Sequence, residues 1–311
     1  MAVNNSLQKS QKRLGIGSYL TGDAVKQRIN QVIGGKDGQR FISAVVSAVQ
    51  TNPGLQECTN QSILSAALLG ESLKLSPSPQ LGQYYMVPFN DRERGKVAQF
   101  QLGYKGYIQL AIRSGQYKKL NVLAIKDGEL IKFDPLNEEI EVRLIEDEEV
   151  REAAETIGYY AMFEYTNGFR KAIYWSKKKM LAHADKYSQA FSANGGTVKT
   201  RYGEKTKVSY SDYVAGNFDP KDAWMYSSFW YKDFDGMAYK TMLRQLISKW
   251  GIMSIDMASA IDADMAVIND DGTKDYVDND PDVIDMEPVS EPLQEAPAED
   301  IQSALFGGDG Q

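Results

Sequence analysis

The sequence predicts an α+β fold: packing helices first, antiparallel hairpins in the middle, a long helix near the end, and a disordered acidic tail. Three observations carry this. Apolar residues recur at helical spacing before residue 75 and again after residue 233. Between residues 120 and 175, two pairs of strand-like runs each flank a tight-turn dipeptide, Asp127-Gly128 and Asn167-Gly168. Carboxylates and prolines then crowd the last fifty residues.

Taken in order, residues 1–20 are polar, broken by Gly15 and Gly17, and read as a loose arm. Arg40 to Gln50 puts Phe41, Ile42, Val45, Ala48 and Val49 on one broad apolar face, and Gln61 to Leu75 does the same with Leu64, Leu68 and Leu75 around Ala67. Pro77 and Pro79 end the second helix, after which Gln83 to Phe89 and Val97 to Leu102 read as strands across a charged turn at 90–96. A hairpin of Leu120 to Lys126 with Glu129 to Phe133 is expected at Asp127-Gly128, and one of Gly158 to Thr166 with Phe169 to Trp175 at Asn167-Gly168. Between them, 134–155 carries ten carboxylates against Arg143 and Arg151, with Ile140 to Ile145 a further strand. Ser176 is placed to cap a helix reaching about Phe191, Asn194-Gly195-Gly196 opens a flexible basic loop, and Phe234 to Trp250 forms the long helix. From Asp262 onward the chain reads as disordered.

Charge divides the chain at that point. The whole of it carries −7, but 262–311 holds fifteen Asp or Glu against Lys274 alone, a net −14, which leaves 1–261 at +7. A basic body with an acidic appendage points to a polyanion partner. Cys58 is the one cysteine and His183 the one histidine, so neither an internal disulfide nor a Cys/His zinc cluster is available, and a reducing cytoplasm fits. No stretch reaches the roughly 18 to 20 apolar residues of a membrane helix, and Met1 to Arg13 lacks the apolar segment of a signal peptide.

Three basic groups are candidates to hold phosphates. If a helix starts near Tyr104, then Tyr104, Tyr107, Ile108, Ala111 and Ile112 make its packing stripe. Lys105, Gln109 and Arg113 recur on the opposite face along a line about 12 Å long; Lys118 and Lys119 follow. The second group, between Tyr174 and Tyr210, contains Lys177, Lys178, Lys179, Lys186, Lys199, Arg201, Lys205 and Lys207, interleaved with Tyr187, Phe191, Tyr202 and Tyr210. Cations that neutralise phosphates beside rings that stack on bases suit single-stranded nucleic acid. The third group is Lys240, Arg244 and Lys249 on the long helix. For each, an ordinary solvated helix face or mobile loop is the competing reading.

Missing motifs narrow the chemistry. There is no G-x-x-x-x-G-K-[ST] phosphate loop, so ATP dependence is not expected, and no visible motif requires Mg2+. Gly103-Tyr104-Lys105-Gly106 matches the Gly-x-x-Gly clamp of KH domains, but its flanking hairpins do not belong to that module. Carboxylate runs at Glu146 to Glu149 and Asp278 to Asp285 are contiguous and read as solvated acid, not as a metal cage. His183 has no recognisable nucleophile partner and reads as an ordinary helix histidine.

Leu69 to Phe89 (LGESLKLSPSPQLGQYYMVPF), Gln99 to Tyr117 (QFQLGYKGYIQLAIRSGQY) and Phe234 to Gly251 (FDGMAYKTMLRQLISKWG), in that order, resemble the RecT family of phage-type recombinases. The Gly158 to Ala161 segment, the Trp175-Ser-Lys segment and His183 to Ser188 are also similar. The resemblance implies a core in which an antiparallel sheet is backed by a long helix. It implies an ATP-independent protein that binds single-stranded and newly annealed duplex DNA, pairs complementary strands without covalent chemistry, and forms homo-oligomeric rings or helical filaments. A partner exonuclease is implied, as is a host single-strand-binding protein engaged by the C-terminal tail, with no membrane association, in a bacterial cytoplasm. On that footing 1–261 is expected to be the DNA-binding, annealing and oligomerisation domain, with 262–311 a flexible protein-interaction tail. Lys105, Gln109, Arg113, Lys118, Lys119, Lys199, Arg201, Lys205, Lys207, Lys240 and Arg244 are expected to face the DNA. Two alternatives stay open: a metal-dependent DNA-processing nuclease, and a noncatalytic DNA-binding scaffold.

Overall fold

A computed structural model describes residues 14–91, 94–188, 190–200 and 203–275. The N-terminal third is helical: α1 (Ile16–Leu20), α2 (Asp23–Ile33), α3 (Gly35–Thr51), α4 (Pro53–Gln56) and α5 (Asn60–Ser72). Thr59 begins α5 by accepting the Ser62 N–H on its hydroxyl, which satisfies an otherwise orphaned donor. Part of the expected N-terminal arm is thus ordered, because Leu20 buries its side chain completely; the rest, 1–13, lies outside the described residues. β1 (Tyr84–Asp91) and β2 (Gly95–Leu102) form the expected hairpin, with Tyr84 opposite Leu102 and Asp91 opposite Gly95. α6 (Tyr104–Ser114) follows and stops at Gly115, whose φ of +69° is the left-handed stop that favours glycine.

The next segment runs β3 (Tyr117–Lys126), β4 (Leu130–Asp134), β5 (Glu139–Val142), α7 (Glu148–Ala153), β6 (Thr156–Tyr165), β7 (Arg170–Ser176) and α8 (Lys177–Tyr187). The hairpin at Asn167-Gly168 forms as expected between β6 and β7. The one at Asp127-Gly128 does not: β3 pairs antiparallel with β6, and β4 pairs with β5, giving a three-stranded sheet in the order β3-β6-β7. Burial accounts for the exchange. Leu120, Val122 and Ala124 lie opposite Phe163, Ala161 and Tyr159, which are fully buried, whereas Ile131 and Phe133 on β4 stay exposed. The turn still forms at Gly128, but the Asp127 N–H donates to the Glu155 carbonyl at 2.8 Å, and β4 departs from β3.

Beyond α8 come β8 (Gly196–Thr200), β9 (Gly203–Lys207), α9 (Tyr210–Val214), a 3-10 turn at Pro220–Tyr226, α10 (Phe229–Lys232), α11 (Phe234–Trp250), α12 (Ile255–Ala263), β10 (Val267–Ile268) and β11 (Lys274–Asp275). Two expectations need correction here. The helix capped by Ser176 ends at Tyr187, short of Phe191, which is buried among rings instead; and the basic loop is a hairpin, β8 with β9. α11 matches the expected long helix residue for residue. It serves two cores at once, placing Leu243 and Ile247 among the N-terminal helices, β1–β2 and α6, and Ala238, Met242 and Leu246 against β6 and α8.

The boundary expected at Asp262 falls inside the folded body. Asp264, Ala266, Val267 and Ile268 are buried, the Phe100 N–H donates to the Ala266 carbonyl at 2.9 Å, and β11 closes the segment. The remainder of the acidic tail, 276–311, lies outside the described residues. Among the described residues no helix is long and apolar enough to cross a membrane.

Candidate nucleic-acid interface

α6 supplies the most complete part of the expected basic surface. Its buried side is Tyr107, Leu110 and Ala111, and Lys105, Gln109 and Arg113 are exposed on the other side, as 3.6 residues per turn requires. Ile112 departs from the expected packing stripe: it is 61% exposed and looks onto a cleft of about 470 Å³ between α6 and β3. Ile108, Ile112, Tyr117 and Leu120 line this cleft together with Lys118, Lys119, Asn121 and Met162. Of the expected cations Lys118 and Lys119 line this cleft, whereas α6 contributes Ile108 and Ile112 to it; Lys105, Gln109 and Arg113 are exposed beside it and do not line it.

Their electrostatic freedom differs. Lys105 makes no ion pair among the described residues, and its ammonium lies 6.0 Å from the centre of the Tyr104 ring. Arg113 donates to the Leu73 carbonyl at the end of α5, which ties down one of its nitrogens. Lys118 and Lys119 share a single carboxylate, Glu164, at 2.6 and 3.3 Å, and hydrogen bonds from these two ammonium groups hold its pKa below the usual glutamate range. Two cations on one anion leave the rim of the cleft with a surplus positive charge.

The glycines of the Gly103 to Gly106 tetrapeptide have a packing explanation. A side chain at Gly103 would meet the Gly82 carbonyl oxygen at 2.1 Å, and one at Gly106 would meet that of Gln83 at 2.1 Å. These glycines let α6 lie directly on the backbone entering β1.

The second group is only partly available. Lys207 is withdrawn: it is buried, donates to the Ala190 carbonyl at 2.9 Å, lies over the Tyr231 ring at 5.6 Å, and burial pushes its pKa down. Lys205 is exposed but paired with Asp222. Lys199 lies on β8 with its side chain outside the described residues, as is all of Arg201.

The third group is corrected as well. Lys240 is buried, and its Nζ donates to Asp264 Oδ1 at 2.9 Å; Arg244 donates to Asp264 Oδ2 at 2.7 Å and keeps 38% of its side chain exposed. The same carboxylate accepts the Leu102 N–H at 2.9 Å. Lys240 is thus one half of an internal clasp between α11 and the segment after α12, and only Arg244 of the pair still reaches solvent. Asp264 was missed because its sequence neighbourhood is acidic and carries no apolar period. A second omission, the rings of Trp175 and His183 beside Tyr187, had a legible signal, since 179, 183 and 187 are spaced by four residues on a helix.

No three His, Cys, Asp or Glu side chains come together to hold a metal ion among the described residues. Residues 39–282 match the family model described as the RecT family. The chain is 35% identical over 309 residues to the uncharacterized protein YqaK of Bacillus subtilis (strain 168), across 96% of this chain and 90% of that protein. It is also 32% identical over 99 residues to Protein RecT of Escherichia coli (strain K12), across 31% of this chain and 37% of that one.

Proposed function

The chain belongs to the RecT family of phage-type recombination and strand-annealing proteins, and from that premise we propose that it binds single-stranded DNA across α6 and the start of β3 and anneals complementary strands there without ATP. The observation that supports this placement is the exposed row Lys105, Gln109 and Arg113 on α6, followed in the chain by the exposed Lys118 and Lys119, which line the cleft between that helix and β3. Two complementary strands repel through their phosphates. A rim of cations takes up that charge and releases counterions, so pairing accelerates with no bond made or broken by the protein. Holding a strand by its backbone leaves its base edges free to test a second strand, and sequence is read by Watson-Crick pairing alone. Repetition of the cleft through a homo-oligomer makes individually weak contacts collectively strong. The segment 276–311 holds ten carboxylates and no base, and we assign it to protein partners such as a single-strand-binding protein, with an exonuclease supplying the single strands.

Two measurements test the reading. Complementary oligonucleotides mixed with the protein in the absence of ATP, followed on a gel for pairing and cleavage, should pair faster and remain intact. Magnesium-dependent cleavage would favour the nuclease alternative, and no acceleration would favour a scaffold. Replacing Lys105 and Arg113 together with Ala should then lower the slope of log affinity against log salt by roughly 1 to 2 for single strands. An unchanged slope would remove α6 from the interface.

A further inference from the structure

We infer that the exposed face of α8, with Trp175 behind it, is a stacking seat for unpaired nucleobases; this rests on the single-strand reading above. Ser176 starts α8 by accepting the Lys179 N–H, and Met180 and Ala184 anchor the helix in the second core. The flank next to that anchor carries Lys179, His183 and Tyr187 in one line, four residues apart, with Lys179 and Tyr187 exposed, His183 half-buried and the exposed Lys186 beside the last. These groups form a continuous run. Lys179 Nζ sits 4.3 Å from the centre of the Trp175 ring, the Trp175 and His183 ring centres are 5.4 Å apart at 63°, and those of His183 and Tyr187 are 4.6 Å apart at 44°. Lys186 Nζ lies 5.2 Å from the centre of the Tyr187 ring.

Tyr187 leaves 61% of its area in water although it closes a row of rings, and neither Lys179 nor Lys186 is paired with a carboxylate among the described residues. Burial first, and the nearby charges of Arg244, Lys179 and Lys186 after it, push the His183 pKa below its ordinary value, so at neutral pH it presents an uncharged ring flanked by cations. A π surface with positive charge at both ends fits a base and its flanking phosphates. From 179 to 187 the helix advances about 12 Å, enough for roughly three bases at the ~3.4 Å spacing of a stacked strand. Duplex bases already cover each other's faces, so the seat selects strands that have not yet paired.

The test uses the full-length chain with two probes of equal length, an oligothymidine and an abasic oligonucleotide that keeps every phosphate and has no base. Wild-type protein should prefer the oligothymidine. Tyr187→Ala should lower oligothymidine affinity about tenfold, with abasic affinity, salt slope and melting temperature unchanged, and Tyr187→Phe should restore the preference. If Tyr187→Ala changes neither affinity, or lowers both equally, the stacking seat is overturned while the single-strand reading stands. Binding of neither probe by the wild-type protein would overturn both.

Discussion

Asp264 shows how much one residue's meaning depends on its surroundings. In sequence it is one carboxylate among fifteen in an acidic stretch; in the fold it is buried, receiving Lys240, Arg244 and the Leu102 N–H. Lys240 and Arg244 are four residues apart on one helix, the same signature that marks Lys105 and Gln109, and no feature of the sequence separates a phosphate-gripping pair from a clasp. Burial separates them, and burial is set by chain segments far away in sequence. Removing one partner of a buried pair leaves an uncompensated charge, so Asp264→Ala should cost about 3–5 kcal/mol in denaturant melts. Lys240→Met should leave the salt slope of DNA binding unchanged, because a cation already neutralised inside the fold releases no counterion from DNA. A reduced slope in that variant, at unchanged stability, would return Lys240 to the interface.

At the scale of elements, helices were more legible than strand partners. The periodicity of α3, α5, α6 and α11 is written within each segment; α11 matches its expected span, while α3 starts five residues before Arg40 and α5 stops three residues before Leu75. Strand pairing is a relation between segments, and Asp127-Gly128 suggested a local partner where the buried side chains of β3 select the distant β6. Glu129 fixes that outcome. Its carboxylate has no exposure, accepts the Lys126 N–H at 2.7 Å and the Ile145 N–H at 3.1 Å, and takes Arg151 Nε at 2.6 Å, fastening β3, the chain after β5, and α7 to one another. Burial acts to raise its pKa, but Arg151 and the two backbone donors outweigh that and hold it below the usual glutamate value. With the folded pKa depressed, the unfolded state takes up the proton first. The stabilisation is therefore complete above the unfolded value near 4.5 and is lost as pH falls through the folded pKa. Glu129→Gln should lower stability at neutral pH and flatten its decline below about pH 4.5, as read from melting temperature against pH. An unaltered acid profile would show that Glu129 contributes nothing to it.

The whole molecule is two cores strung on α11, and its C-terminal closure decides where the folded body stops. Of the 42 Asp and Glu, ten lie in 276–311 with no Lys or Arg among them, so 1–275 carries +3, less than the +7 expected of a body ending at 261. The difference is the five carboxylates between 262 and 275, offset by Lys274. One of them, Asp264, completes the clasp, and others hold surface bases: Asp270 takes Arg28 and Asp275 takes Arg94. The charge split visible in the sequence is real, but composition alone set its boundary too early, because acidity does not distinguish a solvated carboxylate from one that is paired in the fold. Two truncations separate these roles. Ending the chain after Asp275 removes ten carboxylates and no base from outside the described body, so melting should be cooperative and unchanged; the loss of ten like charges that compete with phosphates should tighten single-strand binding at low salt and have little effect at high salt. Ending it after Ile261 removes Asp264 and the buried Val267 and Ile268, strands Lys240 inside the protein, and exposes β2 along Phe100. That chain should lose its cooperative transition and, with it, strand annealing, because α11 can no longer hold the two cores in register. If both truncations melted alike, the segment after α12 would be an appendage and the boundary would return to Asp262.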